Sequence, residues 1–83
     1  MNDWKVDKSA NASYYKVSDR PVAYSAEVAP LVVADYDERG NVAGIELLTA
    51  ATDQYNIHNL IALAGKHQAA SGMNGGKAGI ARS

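Results

Sequence analysis

The feature that most constrains the fold is a predicted β-hairpin in the middle of the chain. Two short apolar runs, residues 31–34 and 42–48, are rich in branched side chains and too short for helices. Between them, residues 37–41 have the composition of a turn, in which Asp37 accepts backbone hydrogen bonds and Gly40 adopts the left-handed conformation. The pattern therefore predicts two antiparallel strands joined by a glycine-closed loop.

Three further strands are expected before this hairpin. They are residues 4–6, 12–17 and 22–28. The third of these strands alternates cleanly, as expected for a sheet with one solvated side. Residues 31–36 and 42–48 are largely apolar on both faces, although Gly44 and Glu46 interrupt one face of the second run, and this pattern predicts central strands.

After residue 51 the apolar period lengthens from two to about 3.6 residues, which predicts a helix. Its apolar stripe comprises Ile57, Leu60, Ile61 and Ala64. Thr52 or Asp53 is the expected N-cap, because each offers a side-chain oxygen to the first backbone amides. The fold class is therefore α+β: a small antiparallel β-meander of four to five strands followed by one C-terminal α-helix. We expect residues 1–68 to form a single domain and residues 69–83 a flexible glycine-rich tail.

Composition excludes several classes of protein. A chain of 83 residues makes one domain, which buries only roughly 60% of its unfolded surface and gains from a partner chain. The absence of cysteine removes disulfides and thiol chemistry and fits a cytoplasmic protein. Neither a secretory signal nor an apolar run of membrane-spanning length is present, so we expect no membrane association. A formal charge of −1 makes nucleic acid an improbable partner.

No residue pattern indicates catalysis or a cofactor. Asp35, Asp37 and Glu46 are an alternative cation or acid–base site, but they flank the turn at different distances and only partly imitate a calcium loop. His58 and His67 are nine positions apart on the predicted helix and cannot chelate one metal together. We therefore expect a protein that is not an enzyme and holds no cofactor or metal.

Residues 6–48 resemble the small bacterial family known as domain of unknown function 2283. The resemblance is carried by Val6-Asp7, by residues 12–19, by Val22-Ala23, by residues 27–30, and most specifically by Asp35-Tyr36-Asp37 with Gly40-Asn41-Val42 and residues 44–48. Three positions depart from the family pattern. Asn11 replaces an acidic residue, Ser13 replaces leucine, and Leu31 replaces the glycine that commonly follows the proline. The resemblance implies a compact antiparallel sheet with no established activity.

Members of that family are often encoded beside small ribonuclease-like toxins, so the resemblance implies an antitoxin-like role. We expect a small protein-interaction module that covers a partner protein's surface, as an antitoxin-like or phage-borne inhibitor does. A homodimer is also expected, because a single helix leaves one face of the central strands with Leu31 and Val33, or Val32 and Tyr36, exposed. The candidate partner-binding residues are Tyr14, Tyr15, Tyr24, Tyr36, Ile57, Leu60 and Ile61. The alternative is a ligand- or nucleic-acid-binding regulator that uses the sheet and the basic tail.

Overall fold

A computed structural model describes the backbone of residues 3–75 and the side chains of residues 3–67. Within residues 3–75, five strands form one antiparallel sheet and a single α-helix follows them, as the sequence predicts. The strands are β1 (Lys5–Asp7), β2 (Ala12–Lys16), β3 (Tyr24–Ala29), β4 (Val32–Tyr36) and β5 (Val42–Leu47). A 3₁₀ turn at Thr52–Gln54 leads into helix α1 (Ile57–Gly75).

The strand order across the sheet is β1-β2-β5-β4-β3. Strands β3, β4 and β5 follow one another as a meander, and the β1–β2 hairpin joins the free side of β5. β5 is therefore the central strand, with β4 beside it, which confirms that both are interior. The segment between β2 and β3 is tied to the sheet by two hydrogen bonds, from the Val17 and Ser18 amides to the Ala43 carbonyl, at 2.9 and 3.1 Å.

The loop between β4 and β5 has the predicted construction. The Gly40 amide donates to the Asp37 carbonyl at 3.0 Å, and Gly40 has φ of 84°. The buried Asp37 carboxylate accepts hydrogen bonds from the Arg39 and Asn41 amides, both at 2.9 Å. These hydrogen bonds give a partner to loop amides that lie outside the strand ladder.

The core lies between one face of the sheet and α1. Val32, Ala34 and Tyr36 of β4 are buried there, together with Ile45 and Leu47 of β5 and with Leu60 and Ala64 of the helix. The hydroxyl of Tyr36 donates to the Ala64 carbonyl at 2.8 Å, which fixes the helix against the sheet. Burial of that hydroxyl raises the pKa of Tyr36.

Both predicted ends of the helix need correction. Thr52 and Asp53 lie in the 3₁₀ turn, whereas Asn56 caps α1: its side-chain oxygen accepts from the His58 and Asn59 amides at 2.9 and 3.2 Å. The backbone stays helical to Gly75, beyond Gln68, where the pattern predicted the end. Ala69 and Ala70 favour this extension because alanine has the highest helix propensity. The rest of the predicted tail, residues 76–83, lies outside the described residues.

Candidate interaction surface

The sheet face opposite the helix is polar and is organised by Tyr14. Strand pairing places two rows of side chains across this face. The first row is Lys5, Tyr14, Glu46, Val33 and Glu27, and the second is Lys16, Gly44, Asp35 and Ser25. Charged side chains of both signs dominate these rows, and Val33 is half-buried. We refer to this surface as the open face.

The Tyr14 side chain crosses the central strand at Gly44. Its hydroxyl donates to Asp35 Oδ2 at 3.0 Å, and Ser25 Oγ donates to Asp35 Oδ1 at 2.5 Å, so that one network joins β2, β4 and β3. A Cβ atom at Gly44 would lie only 2.5 Å from Tyr14 Cζ. Burial, followed by the hydrogen bond to Asp35 and the negative charges of Asp35 and Glu46, raises the pKa of Tyr14 to about 12.

The sequence predicted that one face of the central strands would be apolar and uncovered, and the structure has no such face in residues 3–67. Val32 and Tyr36 are buried beneath the helix, and Val33 is half-buried among polar side chains of the open face. Only Leu31 of the four side chains is exposed, and it lies in the turn before β4 rather than in the middle of a face. The period-two pattern alone did not anticipate that charged residues of the other strands surround Val33.

The candidate partner-binding residues fall into three environments. Tyr36 and Leu60 are buried in the core, and Ile57 and Ile61 are half-buried against it. Tyr14 belongs to the open-face network described above. Their side chains support the fold, and any part they take in partner binding stays a prediction.

Tyr15 and Tyr24 each form an aromatic pair on the helix side of the sheet. Tyr15 packs edge-on against Trp4 with ring centroids 5.4 Å apart. Tyr24 stacks on Tyr36 at 5.0 Å and is 42% exposed. Of the seven candidates, Tyr24 therefore presents the most accessible side chain.

Two leucines that are not among the candidate partner-binding residues are exposed at one end of the sheet. Leu31 and Leu48 are each 46% exposed, and the Leu48 amide donates to the Leu31 carbonyl at 2.9 Å. Leu31 has φ of 66°, a left-handed conformation that costs an L-amino acid about 1–2 kcal/mol. We name Leu31 and Leu48 the leucine patch. The sequence indicated that Leu31 is unusual, because the family commonly has glycine at this position after Pro30.

A cleft of about 240 Å³ lies beside the β4–β5 loop. Its lining consists of Arg20, Pro21, Val22, Ala23, Asp37 and Glu38. Arg20 Nε lies 3.5 Å from Asp37 Oδ2, which joins the segment before β3 to the loop. Because the other Asp37 oxygen accepts two amide hydrogen bonds, this carboxylate serves the loop structure.

The three carboxylates considered as a cation site have separate surroundings. Asp35 is bonded by Tyr14 and Ser25, Asp37 by its own loop and Arg20, and Glu46 lies beside Tyr14 in the first row of the open face. Within residues 3–67, no three His, Cys, Asp or Glu side chains gather in a way that could hold a metal ion. The helix in the described range lacks the apolar character that a membrane span requires.

These features define a small α+β protein with a polar sheet face and a few exposed aliphatic side chains. Residues 5–50 match the model of the family described as proteins of unknown function (DUF2283). Since this match covers more than half of the chain, the protein belongs to that family. No curated protein and no solved structure gives a significant match to the chain.

Proposed function

We propose that this protein is a small non-enzymatic protein-interaction module that covers a surface of a partner protein, as an antitoxin-like or phage-borne inhibitor does. The observation that carries the proposal is Leu31. This side chain is exposed although it is apolar, and its backbone adopts a conformation that favours glycine. Both the exposed apolar side chain and the left-handed backbone are unfavourable for leucine. We therefore expect this side chain to contact another molecule.

The neighbouring Leu48 supports the same reading. Its side chain is exposed to the same extent, and the backbone hydrogen bond holds Leu48 beside Leu31. A preformed pair of aliphatic side chains binds an apolar surface with little loss of conformational entropy. The proposed partner is therefore a protein with an apolar binding surface, reached in the cytoplasm, a location that the absence of cysteine supports.

The experiment is quantitative capture of proteins from a lysate of the source organism on immobilised chain, with identification by mass spectrometry. Leu31→Ser and Leu48→Ser should each reduce recovery of the specific partner at least about tenfold, as truncation of a central anchor does. Leu63→Ser is the matched control, because Leu63 is also exposed but lies on the helix. Equal recovery by all three variants would refute the role of the leucine patch.

A ligand- or nucleic-acid-binding regulator remains the second proposal, and the cleft at Arg20 is the observation that favours it. The cleft combines Arg20, its partner Asp37 and Glu38 with the apolar side chains of Pro21 and Val22, which suits a small polar ligand better than a phosphate backbone. Binding to nucleic acid should weaken steeply between about 50 and 200 mM salt, whereas binding through the leucine patch should change little. An Arg20→Ala variant that loses binding while Leu31→Ser retains it would favour this second function.

A further inference from the structure

The two edges of the sheet differ in how well they are protected against pairing with another chain. At one edge, β1 is three residues long and carries Lys5. At the other edge, β3 is six residues long, contains neither lysine nor proline, and carries one charged side chain, Glu27. Short length and edge lysines are devices that prevent strand addition, and a long edge without them invites it. A β-bulge interrupts β3 only after Glu27, so Tyr24 to Glu27 remains regular.

Hydrogen-bond alternation identifies the groups that β3 presents at this edge. The bond from Leu48 to Leu31 starts the β4–β5 ladder, so Val33 and Asp35 of β4 direct their backbone groups toward β5. Ala34 and Tyr36 therefore pair with Ala26 and Tyr24 of β3, and the bond from the Ala23 amide to the Tyr36 carbonyl agrees with this assignment.

It follows that Ser25 and Glu27 direct their backbone N–H and C=O groups away from the sheet. Both residues are exposed, and no strand in residues 3–75 lies beyond β3. Since backbone donors and acceptors bind strongly when paired in a ladder, this edge can accept a further strand of suitable register.

We propose that β3 pairs antiparallel with β3 of a second copy of this chain, with the two-fold axis at Ala26. In this register Ser25 faces Glu27 of the second copy, and each of these two pairs exchanges two backbone hydrogen bonds. Ala26 faces its own copy in the closely spaced position between them, where a small side chain fits. The two five-stranded sheets then form one continuous sheet.

The charges favour this register over its neighbours. An axis at Glu27 would place two carboxylates opposite each other, and like charges in that position are destabilising. An axis at Ser25 would require the Ala23 amide, which already donates to Tyr36. With the axis at Ala26, each Glu27 carboxylate faces Ser25, a neutral side chain whose hydroxyl donates to Asp35 of its own chain. The proposal does not rest on the leucine patch, in which Leu31 lies in the turn after β3 and Leu48 follows the end of β5.

The test is sedimentation equilibrium of the full chain from about 10 µM to 1 mM. This range suits a weak dimer, which is what we expect because pairing of two short strands buries little surface. The wild type should show a monomer–dimer equilibrium. Glu27→Pro removes an outward N–H without breaking the ladder to β4 and should raise the dissociation constant at least about tenfold. Glu27→Ala keeps the N–H and should change the constant by about twofold or less. A purely monomeric wild type would overturn the proposal.

A cysteine cross-link tests the register, because the natural chain has no cysteine. Mild oxidation of Ala26→Cys should give a covalent dimer, since the two Cα atoms would lie within the range that a disulfide spans. Glu27→Cys is the control, because the two introduced thiols would lie beyond that range. Equal cross-linking of both variants, or of neither, would overturn the register. Leu31→Ser should leave self-association unchanged, which separates this inference from the proposed function.

Discussion

The phenol ring of Tyr14 packs directly over Gly44, where a side chain of any size would displace it. This contact allows Tyr14 on β2 to cross the central strand and reach Asp35 on β4. Gly44 is thus needed for the close approach of a neighbouring ring rather than for a left-handed backbone. The open-face network depends on this glycine.

We expect Gly44→Ala to lower the free energy of unfolding by about 1–3 kcal/mol, because the added methyl overlaps with the ring of Tyr14. Gly65→Ala is the matched control: Gly65 lies in the middle of α1 with no atom near an added Cβ, and alanine should stabilise the helix by about 0.5–1 kcal/mol. Urea denaturation measures both effects. A Tyr14→Ala background should remove most of the cost of Gly44→Ala, and an unchanged cost there would contradict the contact.

The raised pKa of Tyr14 predicts a loss of stability at high pH. The folded protein holds this phenol neutral to a pKa of about 12, whereas the unfolded chain titrates near the ordinary value of 10.0. The contribution is therefore complete below pH 10 and is lost as the pH rises from 10 to 12. Denaturant midpoints measured between pH 8 and 12 should fall more steeply for the wild type than for Tyr14→Phe. Parallel curves would show that Tyr14 does not titrate in this way.

Leu31→Gly should stabilise the protein even though it removes an aliphatic side chain. Glycine adopts the φ of 66° without steric cost, so the free energy of unfolding should rise by about 0.5–1 kcal/mol. Leu48 is equally exposed but is not among the residues with positive φ, and Leu48→Gly should be destabilising. Thermal melts of the two variants provide the comparison. A destabilised Leu31→Gly protein would mean that the leucine side chain contributes more to the fold than its exposure indicates.

Tyr36→Phe should cost about 0.5–1.5 kcal/mol, because it removes the hydrogen bond from the buried hydroxyl to the Ala64 carbonyl. The aromatic ring stays in place, so the stacking with Tyr24 should persist. Chemical denaturation gives the stability change, and near-ultraviolet circular dichroism reports the ring packing. No loss of stability would show that solvent or another group replaces this bond at no cost.

The central hairpin could be predicted from sequence because its signals are local. Residues 37–41 combine an aspartate that accepts loop amides with a glycine at φ of 84°, and both are recognisable from their spacing. The antiparallel sheet and the following helix were predictable for the same reason. Asn56 was missed as the helix cap because Thr52 and Asp53 offer the same chemistry a few residues earlier.

The candidate surface depended on pairing between distant strands, and local patterns do not determine that pairing. The insertion of β5 between β2 and β4 brings Tyr14 next to Gly44 and leaves β3 at the edge. Tyr36 was predicted to lie at an interface because tyrosine is common there. Its hydroxyl instead donates to the Ala64 carbonyl inside the core. Leu31 carried a signal in its departure from glycine, but its meaning required the backbone angle.

The role of Leu31 in partner binding is tested most directly by measuring how much partner the Leu31→Gly variant captures relative to the wild type, in a lysate of the source organism and at equal amounts of folded chain. If Leu31 is retained for contact with another protein at a cost to stability, the more stable glycine variant should recover at least about tenfold less of that partner. Recovery equal to that of the wild type would contradict the proposed role of the leucine patch.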